Sequence, residues 1–292
     1  MISKREALIT LNDCPYVTRP VLRQMMKDDS LLTSLPVLTP SKLSSKLSLP
    51  FKRSKSILDY IRNDNIMKKL DKNSRQFHAL TIMDPDFPLS LRQIPDPPLV
   101  LYAKGNLELL SRLLSISVVG TRTPSDYAYY TMEKLLPPLI SANFLIVSGM
   151  AAGVDQQAHQ LAIDHGGATI AVLGSGFNYP YPKNNPALFQ RLGETQLLLS
   201  EYPPDRPPKK YHFPERNRII SALTESTLVI EARMKSGSLI TVDQALEQGK
   251  NVYAVPGPIG LETSEGCHHI IQQGAKLVQS CHDILQDYCL KK

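Results

Sequence analysis

The sequence predicts an α/β protein built on a doubly wound, mostly parallel sheet. Short aliphatic and β-branched runs recur from Ile116 onward, with helix-period segments between them. The runs are continuous rather than alternating in polarity, so the strands they form are buried on both faces. Glycines or small polar residues follow five of six such runs, where strand-to-helix turns belong.

The elements follow in order. Residues 1–75 read as short helical pieces: Ala7, Leu8 and Leu11, then Val21, Leu22, Met25 and Met26, stand at helical spacing. Residues 76–112 read as a connector packing on the main domain. Asp84-Pro85, Phe87-Pro88, Pro95 and Pro97-Pro98 exclude a long helix there, and 99–103 is a strand candidate. The main domain spans 113–292. Its strands are expected over 116–119, 145–148, 168–173, 197–200, 227–231, 251–255 and 276–278. Helices are expected after the N-cap Ser125 and over 155–165, 216–223, 239–248 and 267–273, with a short one before 197. Pro137-Pro138 should kink the first of these or end it early.

With 292 residues, 42% hydrophobic and 21% charged, the chain is long enough for two domains and too apolar for disorder. Lys and Arg exceed Asp and Glu by 33 to 27, which is compatible with a polyanionic partner. Residues 41–76 hold ten basic residues against three acids, either a solvated helix surface or an auxiliary DNA-contacting or partner face. No apolar run approaches the ~18–20 residues of a membrane span, and the first thirty residues hold no secretory signal. Cys14, Cys267, Cys281 and Cys289 form no CxxC pair, so reduced thiols and a cytoplasmic location are expected. Cys267, His268, His269, Cys281 and His282 lack zinc-ribbon spacing, and no metal or cofactor is expected.

In such sheets ligands bind at the carboxyl ends of the strands. The turns there are Gly120-Thr121-Arg122, then Ser148-Gly149 through Gly153, Gly174 to Gly176, and Ser236-Gly237. The first lacks the GxGxxG dinucleotide fingerprint, and Lys235-Ser236 is not a Walker A motif. Arg122 instead offers a planar fork to a phosphate. Basic and aromatic residues interleave between Tyr179 and Arg218, including Tyr181, Lys183, Asn184 and the run from Lys209 to Phe213. That mixture suits single-stranded nucleic acid, whose charges and bases both need partners. Arg216 and Arg218, flanking Asn217, fall near an expected helix N-terminus, where the dipole disfavours cations. A bound anion or an acidic side chain is expected to resolve that conflict. Asp155 and His159 at i, i+4 read as a packed helix. Glu201 and Glu231 both follow strands and could face one cleft, the feature that keeps a hydrolase open.

Seven segments together resemble the DNA-processing protein A (DprA/Smf) family. They are Ser117-Val118-Val119-Gly120-Thr121-Arg122, Ser148 to Asp155 with Ala158-His159, Tyr181-Pro182, Ser200 to Pro203, Phe213 to Ile220, Ser236 to Thr241, and Val255-Pro256-Gly257. The match covers about residues 115–280, with a weaker one over 84–105. The resemblance implies an extended Rossmann domain that binds single-stranded DNA, dimerises, and hands the strand to the recombinase RecA during natural transformation, without enzymatic turnover. It carries the DNA pocket onto Arg122 and Lys183, with neighbours in 148–153, 174–176 and 216–218. It implies a small SAM-like helical domain for 1–75, and no C-terminal winged helix is expected. Gly266-Cys267-His268 departs from the family's Gly-Thr-Asn. The alternative is a nucleotide-hydrolysing phosphoribohydrolase of related architecture, but Ser236 to Thr241 lacks the second glycine pair and the terminal glutamate of that signature.

Overall fold

The computed structural model describes residues 3–289. Six short helices come first: α1 (Lys4–Asp13), α2 (Arg19–Met26), α3 (Asp29–Ser34), α4 (Pro40–Leu47), α5 (Phe51–Ile61) and α6 (Asp64–Ser74). Their starts carry ordinary caps. Ser3 and Glu6 close a capping box on α1, and the Thr39 hydroxyl accepts from the Lys42 N–H of α4.

The remaining elements are β1 (His78–Thr81), α7 (Leu89–Arg92), β2 (Val100–Gly105), β3 (Ser115–Val119), α8 (Asp126–Ser141), β4 (Leu145–Ser148), α9 (Val154–Asp164), β5 (Ala168–Leu173), α10 (Pro186–Thr195) and β6 (Leu197–Ser200). Then follow α11 (His212–Ala222), β7 (Ser226–Val229), α12 (Gly237–Glu247), β8 (Asn251–Ala254), α13 (Glu265–Gln272), β9 (Lys276–Leu277) and α14 (His282–Cys289). The strands form one sheet in the order β1-β2-β6-β5-β4-β3-β7-β8-β9. From β6 to β9 every pairing is parallel, while β2 runs antiparallel to both of its neighbours. The segment over 76–112 therefore does more than pack on the main sheet, since it supplies the two outer strands on one side.

Alternate residues of each central strand enter different cores. Leu145 and Val147 of β4, Val229 of β7 and Val252 of β8 pack in one cluster with Ile219 and Ile220 of α11 and Val242 of α12. Ile116, Ile146, Leu228 and Tyr253 pack in another with α8 and α9. Both faces are thus covered, the physical meaning of the continuous apolar runs. A third cluster joins Leu8, Leu11, Met25 and Leu58 of the first helices to Val100, Leu173 and Leu198 of the sheet.

Two local expectations need correction. Helix α8 does not end early but runs through Pro137 and Pro138 to Ser141. Leu135, Leu136, Leu139 and Ile140 flank the prolines and are all buried, so core packing holds the last turn despite two missing N–H donors. Helix α11 begins at His212, one turn ahead of the expected start, so Arg216 and Arg218 lie beyond its first turn. The dipole conflict inferred for them is correspondingly weaker, because that field fades within a turn.

Candidate nucleic-acid interface

Strand order reverses between β3 and β7. The chain leaves β3 toward β4, β5 and β6 on one side, then returns to β7, β8 and β9 on the other. A crevice opens outside the carboxyl ends at such a point, where neighbouring connections leave on opposite faces. Here it is a cleft of about 580 Å³. Gly120, Thr121 and Arg122 after β3 form one wall, Phe213, Arg216 and Asn217 of α11 another, and Ser236, Gly237 and Ser238 at the start of α12 a third. A smaller cavity of about 190 Å³ adjoins it, sharing Arg122, Tyr181, Phe213 and Arg216 and closed by Gly174 and Pro182.

The walls are tied to one another from beneath. The buried Glu231 carboxylate accepts from the Ser125 N–H at 2.9 Å and from the hydroxyls of Ser125 and Thr263, each at 2.8 Å. It thereby joins the start of α8 to the loops after β7 and β8. Gly153 begins α9 at φ +83°, and a Cβ there would stand 2.5 Å from the Thr121 carbonyl oxygen. Only glycine lets α9 approach the Thr121-Arg122 turn this closely. At Gly149 a Cβ would stand 2.2 Å from Arg216 Nη1 and 2.5 Å from Asp155 Oδ2, so the absent side chain leaves room for both charged groups.

Arg216 and Asp155 are both buried at the cleft floor. Arg216 Nη1 donates to the Val172 carbonyl at 2.5 Å, and its Nε donates to Asn217 Oδ1 at 3.1 Å. Burial raises the Asp155 carboxyl above its ordinary range, while Arg216 and the Ala151 N–H pull it back. Burial likewise lowers the Arg216 guanidinium, and Asp155 opposes that. Arg122, Lys210 and Arg233 add positive charge around the same cleft, and Asp155 supplies its one carboxylate among the described residues. The start of α12 adds backbone N–H groups, which favour an anion. Tyr181 and Phe213 bring apolar rings beside these cations, 5.2 Å apart between centroids. The arrangement is a cationic groove with aromatic rings along one side.

Residues 78–289 match the family model described as DNA recombination-mediator protein A. The chain belongs to this family. It is 45% identical to the DNA processing protein DprA of Streptococcus pneumoniae over 219 residues, covering 75% of this chain and 77% of that one. It is 43% identical to the Bacillus subtilis DprA over 210 residues, covering 72% and 71%. The X-ray structure of the S. pneumoniae protein superposes with a TM-score of 0.84 at 37% identity, over 98% of both chains. A Helicobacter pylori DNA processing protein A, studied for its single-stranded DNA binding mode, superposes with a TM-score of 0.67 at 28% identity, over 74% of this chain and 97% of that one.

In this member of the family the structure gathers only part of the expected set. Gly120, Thr121, Arg122, Arg216, Asn217, Ser236 and Gly237 line the main cleft, and Gly174 the smaller cavity. Ser148 does not reach either. Its hydroxyl is buried and donates to the Val118 carbonyl at 2.6 Å. Gly149 and Gly153 shape the floor from below. Gly176 lies under the 203–206 turn, its N–H donating to the Arg206 carbonyl at 2.8 Å. Lys183 is exposed on the loop after the cis Tyr181-Pro182 bond, outside the cleft lining, and Asn184 is bonded to Gln156. Arg218 points away. It forms a buried two-pronged pair with Glu201, at 2.8 and 2.9 Å, and reaches Asp96 at 3.0 Å. The acidic partner expected for an arginine in this helix is therefore real for Arg218.

The paired-glutamate expectation is overturned by the same facts. Glu201 is consumed by Arg218, and Glu231 by the three donors named above. Four strand spacings separate β6 from β7, about 19 Å, so the two carboxylates share no cleft. His159 is a core histidine, with Nδ1 2.6 Å from Thr169 Oγ1 and Nε2 2.5 Å from the Gly149 carbonyl oxygen. Tyr181, Lys210 and Phe213 line the cleft, in keeping with the alternation of basic and aromatic types across the Tyr179–Arg218 stretch. Arg233 also lines it but lies outside that stretch, in the turn after β7.

Proposed function

We propose that this protein is a single-stranded DNA-binding mediator that holds the strand in the cleft at the β3/β7 switch point. The observation that carries this reading is the convergence of Arg122, Lys210, Arg216 and Arg233 beside the rings of Tyr181 and Phe213. The guanidinium and ammonium groups neutralise successive phosphates, while the rings offer stacking faces that accept any base. Arg122 is exposed at the mouth and takes a phosphate directly. Arg216, held from below by Asp155 and the Val172 carbonyl, presents a fixed charge at the floor. Lys183 and Asn184 on the rim extend the contact once a strand is bound. The single-strand binding of the H. pylori relative supports the same reading.

In the cell the bound strand is protected and passed to the recombinase RecA, in the cytoplasm, during DNA uptake and homologous recombination. The protein acts as a homodimer in that step, and the transfer requires no turnover. Residues 1–75 contribute a SAM-like module, and the DNA-binding domain over 113–292 is extended at one side by β1 and β2 of 76–112. No helix among the described residues is long and apolar enough to cross a membrane.

The test is fluorescence anisotropy with a labelled strand of about 50 nucleotides and its duplex, titrated at two salt concentrations. Contacts to ~4–6 phosphates give a log–log salt slope of roughly −3 to −4 for the single strand. Equal affinity for strand and duplex, or an Arg122→Ala variant that binds as the parent does, rejects the assignment. RecA filament growth on strand pre-coated with single-strand-binding protein, with and without this protein, tests the loading step.

A further inference from the structure

A second cavity, of about 530 Å³, lies on the far side of α11, between α2 and the carboxyl end of β6. The segment from Lys209 onward is the wall between the two. Lys210, Phe213, Arg216 and Asn217 line the cleft, whereas Lys209, Tyr211, His212 and Glu215 line the second cavity. The carboxylates of that cavity already have partners. Asp96 is held by Arg19, Arg23 and Arg218, Glu201 by Arg218, and Glu215 by Arg19 Nη2 and the Tyr202 hydroxyl.

Two cations on its other side have no carboxylate partner among the described residues. The Arg206 side chain makes one hydrogen bond, from Nη2 to the Asp13 carbonyl at 3.0 Å. Lys209 Nζ stands 5.7 Å from the centre of the Tyr211 ring. That ring is 55% exposed and rests edge-on against His212, which in turn stacks on Tyr202 at 3.8 Å. An open ring supported from behind, two unpaired cations and direct continuity with the cleft wall occur together.

We propose that a single strand leaving the cleft crosses this rim, with a base stacked on Tyr211 and phosphates on Lys209 and Arg206. The proposal rests on the single-strand reading of the cleft and adds a second subsite to it. Lys209 adjoins Lys210, and Arg206 lies four residues from Lys210, at most ~14 Å of chain. At ~3.4 Å per nucleotide the strand covers that span within about four nucleotides.

The test compares oligothymidines of about 6 and about 25 nucleotides, the shorter filling the cleft alone. Tyr211→Ala should weaken the longer one about fivefold or more while changing the shorter less than about twofold, and Tyr211→Phe should restore parental affinity. Lys209→Gln with Arg206→Gln should reduce the salt slope for the longer oligomer by about 1.4. Equal losses at both lengths, or none at the longer, overturn the second subsite. If Tyr211→Ala lowers the melting temperature, the exposed Lys209→Gln variant alone decides by the same length comparison. Arg122→Ala must weaken both oligomers. If it weakens neither, the cleft reading itself falls, an outcome distinct from failure of the rim.

Discussion

Arg216 and Arg218 stand two residues apart on one buried helix and have opposite employments. Arg216 has one carboxylate beneath it and an open cationic cleft in front. Arg218 is enclosed by Glu201 and Asp96, in the network that ties α2 to the end of β6. A basic residue is therefore not a ligand contact by virtue of its type or of its place in a motif. What decides is the balance of charge on the helix face it occupies. The cleft face carries cations in excess, while the face toward the first helices pairs arginines with carboxylates.

The largest expected effect breaks this comparison most directly. Arg218→Met takes from the buried Glu201 its two hydrogen bonds at 2.8 and 2.9 Å, leaving only the longer contact of Arg19 Nε at 3.6 Å, and should cost about 3 kcal/mol of stability in urea unfolding. The folded fraction should still bind single-stranded DNA within about twofold of the parent, since no cleft contact is lost. Arg216→Met should also destabilise, by removing the nearby positive charge that offsets the burial of Asp155 and the hydrogen bond to the Val172 carbonyl, and should weaken strand binding about tenfold or more. Equal binding losses in the two variants would erase the distinction.

Next comes acid sensitivity beneath the cleft. Burial lowers the pKa of His159 from 6.5 to about 4. The folded state resists protonation there, so the unfolded chain takes up a proton first as pH falls below 6.5. The stability His159 contributes is complete above pH 6.5 and is lost between 6.5 and about 4, amounting to about 3 kcal/mol. Unfolding free energies measured across that window should show the slope, and His159→Leu should flatten it.

A smaller effect sharpens the cleft itself. Arg122→Ala should leave the melting temperature unchanged, because its guanidinium is exposed, and should weaken binding by about 1.5–3 kcal/mol. Its salt slope should fall by about 0.7, the signature of one phosphate. The smallest effect belongs to Lys183→Ala. On an exposed rim loop, it should weaken binding by no more than about 1 kcal/mol, equally for all sequences, as titration with several homopolymers would show.

Much of the parallel sheet was legible because its strands are buried on both faces and so read as unbroken apolar runs. The predicted strand over 168–173 coincides with β5. The strand candidate over 99–103 matches β2, but neither β1 nor the direction of pairing was legible. β1 and β2 sit at one side of the sheet among prolines, and β2 pairs antiparallel with β6, a long-range choice that no local pattern encodes. The cleft was legible through its glycine turns and Arg122, which are local features of strand ends. The assignment of Arg216 to the cleft and Arg218 to the ionic network was not. It depends on Asp96, Glu201 and Asp155, residues distant in sequence that only the folded sheet brings alongside. The early end that Pro137-Pro138 suggested for α8 likewise does not occur, since four buried leucine and isoleucine side chains outweigh two missing donors.

The three donors gathered on Glu231 also bear on the kinetics of encounter. Loops from both sides of the switch point are fastened before any strand arrives, so the groove is a rigid partner for a flexible polymer. Little ordering of the protein then accompanies capture. The association rate should be governed by long-range attraction to the polyanion and fall steeply with ionic strength, with no slow closing phase behind it.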